Sequence, residues 1–481
     1  MASLSQPHVV IFPFMAQGHT LPLIDLSKAL THRGLKVTII TTPSNAPSLL
    51  PKIAKHPQIS LSIIPFPRVK CLPENCENTV NFPSMDLWIP FLTAIKELKQ
   101  PFEGVLEEMS QAGCLPICVI SDFFLGWTLA SCRSFSIPRI VFHGMGTLPL
   151  LIVKTAFLHG PCIAASSYSD TVHFPELTIP FTLTGSDFPD LQSTAPIDLF
   201  SKIASEFGEA DDKSWGVIVN SFEELDGGYI APLESFYKEG GAKAWCVGPV
   251  FLYDPIEQDG SAHNENQSYP YIKWLDGWSR SADVIYVSFG SQAHMSDRQM
   301  DEIALGLEMA GEPFVWVIRS STWAPPDTWE ERVKDRGLIV KNWVEQRSIL
   351  AHPAIGGFLS HCGWNSVLES LSNGVPILAW PVANDQPVNA KFVVDGLGAG
   401  IWVPQRSEDG EKIVTVDHDL ICDGVKELMR GDKGRKARET AQVLRRQARR
   451  AVEKGGSSDK RLDELIECLI HKEKKISKDI G

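Results

Sequence analysis

Short apolar runs alternate with amphipathic stretches along most of the chain. HVVIFPF (8–14) is followed by Gly18 and by LPLIDLSKALTHRG, where apolar residues recur with helical spacing up to Gly34; KVTIITT (36–42) comes next. Strand, turn, helix and strand in this order predict a βαβ unit, whose strands run parallel because the helix carries the chain back to the same edge. PICVISD (116–122) and GVIVNS (216–221) predict further buried strands. A second series begins at DVIYVSFGS (283–291). It continues with a helix over RQMDEIALGLEMAG (298–311) and strands at FVWVIR (314–319), GLIVKNW (337–343), IGGFLSH (355–361) and VPILAWP (375–381). Between the two series, YDPIEQDGSAHNENQSYP (253–270) is polar and rich in turn formers, which predicts a linker. The expected fold is therefore α/β, with two doubly wound, Rossmann-like domains: residues 1–250, a linker at 251–270, and residues 271–455. A last helical stretch, 456–481, follows a break at Gly455-Gly456 and is expected to pack back on the first domain.

Composition narrows the class. With 481 residues the chain is too long for one ordinary core. It is 43% hydrophobic and 21% charged, as a soluble globular protein is. No run of 18 apolar residues occurs, so no membrane span is expected, and the short polar lead MASLSQP lacks secretory character. The net charge of −13 argues against a nucleic-acid partner. It leaves a nucleotide ligand open, because helix N-termini hold phosphates without lysine or arginine. The basic stretch KGRKARETAQVLRRQARRAVEK reads as a solvated helix face. Ten cysteines are scattered with no CxxC pair, which predicts reduced, mostly buried thiols and a cytoplasmic protein.

The densest cluster of chemically useful residues is SHCGWNSVLES (360–370). On a structural reading, Ser366-Val-Leu-Glu369 is an S-x-x-E capping box. On a functional reading, the helix starts at the C-terminal edge of the strand IGGFLS, where open α/β sheets bind ligands. Its amides and dipole favour an anion, Gly363 would let the backbone approach closely, and Glu369 could accept hydrogen bonds from ribose hydroxyls.

Residues 343–386, WVEQRSILAHPAIGGFLSHCGWNSVLESLSNGVPILAWPVANDQ, resemble the signature box of plant family 1 UDP-sugar-dependent glycosyltransferases. The length, the W-x-x-Q start, the HCGWNS centre, the following glutamate and the closing DQ all correspond. FPFMAQGHTLPLIDL near the start and VSFGS after the linker resemble the same family. The resemblance implies a GT-B architecture, two Rossmann-like domains facing each other across a cleft. It also implies inverting transfer of a hexosyl group, glucose foremost, from a UDP-sugar to a hydroxyl of a small lipophilic plant metabolite (a flavonoid, phenolic or terpenoid). Residue by residue, it implies that Trp343 stacks on the uracil and the Val344 backbone reads the uracil edge. Gln346 and Glu369 hold ribose hydroxyls; His361, Asn365, Ser366 and Ser291 contact the diphosphate; Trp364, Asp385 and Gln386 hold the sugar. UDP-glucose is then a co-substrate, with no cofactor or metal, and the protein is a monomer.

A hydroxyl acceptor needs a base. His19 follows the first strand at the sheet's C-terminal edge. Its structural reading is a histidine in a helix-capping turn; in GHTLP it resembles the family's catalytic base. Asp122 ends CVIS and opens DFFLGW. Its structural reading is a helix N-cap; by resemblance it is the dyad carboxylate that orients the imidazole. Asp417-His418-Asp419 has the D-x-D form of a metal site, but it precedes an amphipathic helix and reads as a cap. Many members of the resembled family carry Thr or Ser after the strand near 142, where the hydroxyl reaches the sugar. Here VFHGMGT puts Gly144 at that place, with Thr147 as the possible substitute.

Three other activities fit a two-domain α/β chain: a UDP-sugar epimerase or hydrolase, a dinucleotide-dependent oxidoreductase, and a non-catalytic nucleotide binder. No G-x-G-x-x-G follows the first strand, which counts against the oxidoreductase. An epimerase would not need an apolar acceptor cleft, for which Phe14, Trp88, Phe123, Phe142 and Phe188 are candidate lining residues.

Overall fold

The computed structural model describes the chain apart from residues 1–5, 71, 161–166, 168, 175, 189–196, 238–242, 255–268, 279–281, 291–294, 321–322, 342, 405–414 and 481; at 85, 197–201 and 473–480 it describes the backbone alone. The chain divides into two compact units. The first comprises residues 1–151, 194–259 and 450–481. Its sheet contains β1 (His8–Phe12), β2 (Lys36–Thr41), β3 (Ile59–Ile63), β4 (Cys118–Asp122), β5 (Arg139–His143), β8 (Gly216–Val219) and β9 (Ala244–Cys246), in the order β3-β2-β1-β4-β5-β8-β9. Every neighbouring pair is parallel. From β1 the chain winds outward to β3, then returns to β4 on the other side of β1. The strand order therefore reverses between β1 and β4, which are buried at every position, as strands covered on both faces must be.

The second unit comprises residues 152–193 and 260–449. Its sheet contains β10 (Val284–Ser288), β11 (Phe314–Val317), β12 (Gly337–Val340), β13 (Ile355–Ser360), β14 (Ile377–Ala379) and β15 (Gly400–Trp402), in the order β12-β11-β10-β13-β14-β15, again parallel throughout. Here the reversal falls between β10 and β13. A small antiparallel ribbon, β6 (Thr171–Val172) with β7 (Leu183–Thr184), completes this unit.

Two boundaries differ from the sequence reading. Residues 152–193 group with the second unit rather than with the first domain. Lys391 Nζ holds Asp187 Oδ2 at 2.6 Å and the Thr182 carbonyl at 2.8 Å, and Phe181 packs on Phe392 with ring centroids 6.4 Å apart. Nor does the linker begin at 251. Phe251 and Leu252 are buried, and Asp254 is clamped by Lys28 Nζ at 2.9 Å inside the first unit. The remaining linker, 255–268, lies outside the described residues. The helix Ser457–Ile480 belongs to the first unit, where Leu462, Leu465, Ile466 and Leu469 join Ile11, Leu26, Ile39 and Phe142 in one apolar cluster. Among the described residues no helix is long and apolar enough to cross a membrane.

Candidate functional site

Each unit gathers chemistry-bearing side chains at the C-terminal edge of its sheet, where open parallel sheets bind ligands, and in the first unit they lie at the two strands where the order reverses. In the first unit, His19 comes after β1 and Asp122 ends β4. His19 Nδ1 and Asp122 Oδ2 are 2.8 Å apart; Asp122 is fully buried and His19 is 31% exposed. The helix Gln17–Thr31 begins four residues earlier than the periodicity suggested, because the amides of His19 and Thr20 both donate to the Ala16 carbonyl, upstream of Pro22. His19 therefore sits in the helix's first turn. The helix dipole disfavours a cation there, and the carboxylate beneath supplies the opposing charge. Asp122 also meets its structural reading: Oδ1 accepts from the Phe124 amide at 3.0 Å and caps the short helix Phe123–Leu125. One carboxylate thus fixes its own loop and orients the imidazole. With the proton on Nδ1 facing Asp122, the lone pair falls on Nε2, the tautomer a general base needs.

Aromatic rings surround His19. Phe14 lies 5.3 Å from its ring centroid and Phe124 5.5 Å; Trp88 closes the triangle at 5.8 Å from Phe14 and 5.6 Å from Phe124. Phe123, half-buried, adjoins Phe124 and His143. Phe142 does not join them. Phe142 is fully buried in the cluster with Phe142's sheet neighbours and the last helix, since alternation along β5 turns it to that face. Phe188 belongs to the second unit and packs on Phe174 at 6.2 Å. Phe124 was missed by sequence reasoning. Its proximity to Asp122 was visible, but which ring of the Phe123-Phe124 pair faces the histidine depends on the short helix.

Thr147 does not make up for Gly144. It is fully buried, with Oγ1 3.0 Å from Cys246 Sγ, at the start of the helix Thr147–Leu158. A Cβ at Gly144 would meet only the Gly18 carbonyl, at 3.8 Å, an ordinary contact.

In the second unit the signature residues come from loops after β12, β13 and β14. Trp343 is 39% exposed, while Val344 puts its side chain in the core and leaves its backbone for contact. Gln346 opens the helix Gln346–Ala351 and accepts from Tyr286 Oη at 3.1 Å; its Nε2 donates to Ser366 Oγ at 2.9 Å and to Glu369 Oε2 at 2.8 Å. Arg347 Nε holds the other Glu369 oxygen at 3.0 Å. Gln346, Ser366 and Glu369 are thus one network. The capping-box reading fails: Gly363 is the N-cap of the helix Trp364–Ser372, so Ser366 is already in its third position and Glu369 in its sixth. The Trp364 ring is buried and stacks on Phe392 at 6.4 Å. It packs the helix, and with Asn365 and Ser366 it contributes a first-turn amide. Amides at a helix N-terminus, together with the dipole behind them, favour an anion.

His361 precedes this turn. A Cβ at Gly290 or at Gly363 would each lie 2.6 Å from its Nε2. Gly363 therefore makes room for the imidazole, a role the sequence reading did not give it. Burial, opposed by the Ser288 backbone, pulls the His361 pKa down to about 4, so at neutral pH the ring offers a hydrogen bond and no charge. Ser291 lies outside the described residues. After β14, Asp385 stands at the N-cap position of the helix Gln386–Lys391 without a side-chain capping bond, and Gln386 Oε1 accepts from the amides of Val382 and Ala383 at 2.9 and 3.0 Å. That carbonyl is committed to the turn, so Gln386 offers a ligand its Nε2 donor rather than both halves of its amide. Asp417 stands at the N-cap position of His418–Arg430 but makes no side-chain capping bond.

A family model described as UDP-glucoronosyl and UDP-glucosyl transferase matches residues 255–426. The scopoletin glucosyltransferase of Nicotiana tabacum is 36% identical over 484 residues, covering 97% of this chain and 98% of that protein. Among solved structures, Glycyrrhiza uralensis UGT73P12 complexed with glycyrrhetinic acid 3-O-monoglucuronide superposes with a TM-score of 0.86 at 30% identity, over 99% of this chain and 98% of that one. Phytolacca americana UGT2 complexed with UDP-2fluoro-glucose and pterostilbene gives 0.79 at 28% identity, over 96% and 99%.

Proposed function

Since the chain belongs to the plant UDP-glycosyltransferase family, with its two GT-B units, we propose that it transfers glucose from UDP-glucose to a hydroxyl of a small lipophilic metabolite, with inversion at the anomeric carbon. The observation that carries this reading is the 2.8 Å contact between His19 Nδ1 and Asp122 Oδ2 inside a ring of aromatics. His19 Nε2 takes the acceptor's proton while the acceptor oxygen bonds to C1 of the sugar. The bond from C1 to the β-phosphate oxygen breaks, and UDP leaves with that electron pair. Asp122 stabilises the imidazolium so formed. The first-turn amides at Trp364, Asn365 and Ser366, with the neutral His361 ring, stabilise the departing diphosphate without a divalent ion. The exposed Trp343 face takes the uracil, Gln346 and Glu369 take the ribose, and Asp385 with Gln386 Nε2 takes the sugar hydroxyls. Phe14, Trp88, Phe123 and Phe124 supply the apolar surface for the acceptor. The protein acts as a cytoplasmic monomer.

Incubation with UDP-glucose and a phenolic acceptor, in EDTA, is the direct test. Acceptor-dependent UDP release and a β-glucoside by proton NMR are expected. With equal UDP-glucose, UDP-galactose and UDP-xylose, glucose transfer should dominate. Acceptor-independent UDP release would point instead to hydrolysis, an α-anomer to retention, and rescue from EDTA by Mg²⁺ or Mn²⁺ to a metal.

The diphosphate seat has a test of its own. Gly363 has φ −59° and ψ 140°, which alanine adopts freely, so Gly363→Ala alters only space. Its methyl must displace the His361 ring. UDP affinity should fall roughly 5- to 100-fold, as for loss of a charge-assisted hydrogen bond, with a modest fall in melting temperature from the displaced ring. Calorimetric titration giving the parent affinity would remove His361 from the seat.

A further inference from the structure

Asn389, in the helix Gln386–Lys391, is fully buried, and both described bonds of its amide nitrogen run to the edges of the donor site. Nδ2 donates to the Cys362 carbonyl at 3.0 Å and to Asp385 Oδ2 at 2.8 Å. Cys362 lies between His361 and Gly363 in the turn ahead of the helix Trp364–Ser372, and it holds φ at +63°, a left-handed conformation uncommon for a side chain with a Cβ. Such a conformation persists only where the surroundings impose it. The described restraints on the turn include the Cys362 amide, which donates to Ser360 Oγ at 3.1 Å, the Cys362 Sγ, which donates to the Ser360 carbonyl at 3.6 Å, and the Cys362 carbonyl, which Asn389 holds. The second bond fixes the carboxylate of Asp385, whose neighbour Asn384 is also left-handed at φ +56°. One amide thus spans two loops that no strand pairing joins directly at this height: the one after β13 and the one after β14.

We infer that Asn389 is a positioning residue that sets the spacing between the diphosphate seat and the sugar-binding carboxylate, so that a UDP-sugar is recognised as a whole rather than as UDP plus a loosely held hexose. This rests on the reading of Asp385 as a sugar ligand. Asparagine suits the task because a neutral amide donates two hydrogens from one nitrogen without adding charge beside Asp385. Aspartate at 389 could donate neither bond and would repel its neighbour.

The measured quantity is the ratio of affinities for UDP-glucose and UDP, by calorimetry, in the full chain. Asn389→Ala should lower that ratio about tenfold, as expected for release of a half-buried ligating carboxylate. Asp385→Ala should lower it comparably, and the double variant should be no worse than Asp385→Ala alone, because the two residues act through one group. If Asn389→Ala does not fold, the isosteric Asn389→Asp is measured in its place. Its loss should shrink as the pH is lowered and the paired carboxylates come to share a proton. A purely structural asparagine would weaken UDP and UDP-glucose equally, or would change the melting temperature with the ratio intact; either result overturns the inference. If Asp385→Ala itself leaves the ratio unchanged, the sugar-ligand reading is what fails, and the inference falls with it. A ratio lowered by Asp385→Ala but not by either Asn389 variant overturns the inference alone.

Discussion

His19→Ala is expected to lose about 10²- to 10⁴-fold in turnover on an aliphatic hydroxyl, the usual span for removal of a general base, while UDP-glucose binding stays within about twofold. The separation follows from the fold. His19 is anchored in the first unit by Asp122, and the residues assigned to the donor belong to the second. The choice of acceptor matters, since a phenol already ionised at the assay pH needs no base and would mask the loss. Raising the pH with a moderately acidic phenol should restore the variant progressively. Near-parental turnover on an alcohol at neutral pH would end the assignment of His19 as the base, whatever happened to binding.

Asp122→Asn is expected to cost about 10²- to 10⁴-fold as well, by a different route. The amide keeps the shape of the carboxylate, and its oxygen can still accept from the Phe124 amide, so the loop after β4 should hold. What is lost is the charge that steadies the imidazolium. If the new Nδ2 faces His19, it donates to Nδ1 and drives the ring proton to Nε2, where no proton can then be accepted. The variant should therefore bind acceptor and donor as the parent does and fail in the chemical step. Single-turnover measurements across neutral pH would check this. A rate equal to the parent's would mean that the short contact only braces the loop.

The alternation of apolar runs and helical stretches was enough to place the central strands of both parallel sheets, but β3, β9 and β15 were not singled out, and β5, buried at every position, carries Arg139 and His143 at its ends. The box from Trp343 to Gln386 was legible only as a resemblance, and the structure joins Gln346, Ser366 and Glu369 of it in one hydrogen-bonded network. What escaped was decided by side-chain direction and by long-range packing. Phe142 and Phe124 are both phenylalanines near a strand end, and only the pleat and a short helix separate core from wall. Thr147 had the right hydroxyl, but its burial against Cys246 removes it. Residues 152–193 carry no break that would assign them to the second unit; the ion pair of Asp187 with Lys391 joins positions about two hundred apart. Asn389 had a local partner in Asp385, four residues earlier, but its bond to the Cys362 carbonyl joins positions 27 apart and had no signal in the sequence.

The position of the last helix bears on how the chain is made. Leu462, Leu465, Ile466 and Leu469 are at most 8% exposed, and burying four such side chains contributes about 6–12 kcal/mol at most. That is as large as the whole net stability of a typical domain. A ribosome translating this message has therefore delivered the whole second unit before the first can close its core. The nascent sheet of the first unit, begun at residue 8, must wait with an apolar face uncovered until residue 469 has cleared the exit tunnel. Folding during synthesis then runs out of order, with the later-made unit free to mature first. A nonsense codon anywhere between 456 and 462 would release a polypeptide whose second unit is intact and whose first unit, lacking all four of these side chains, is a substrate for chaperones and proteases. Reporter fusions to ribosome-stalled chains of increasing length would register this as protease resistance appearing first in the second unit.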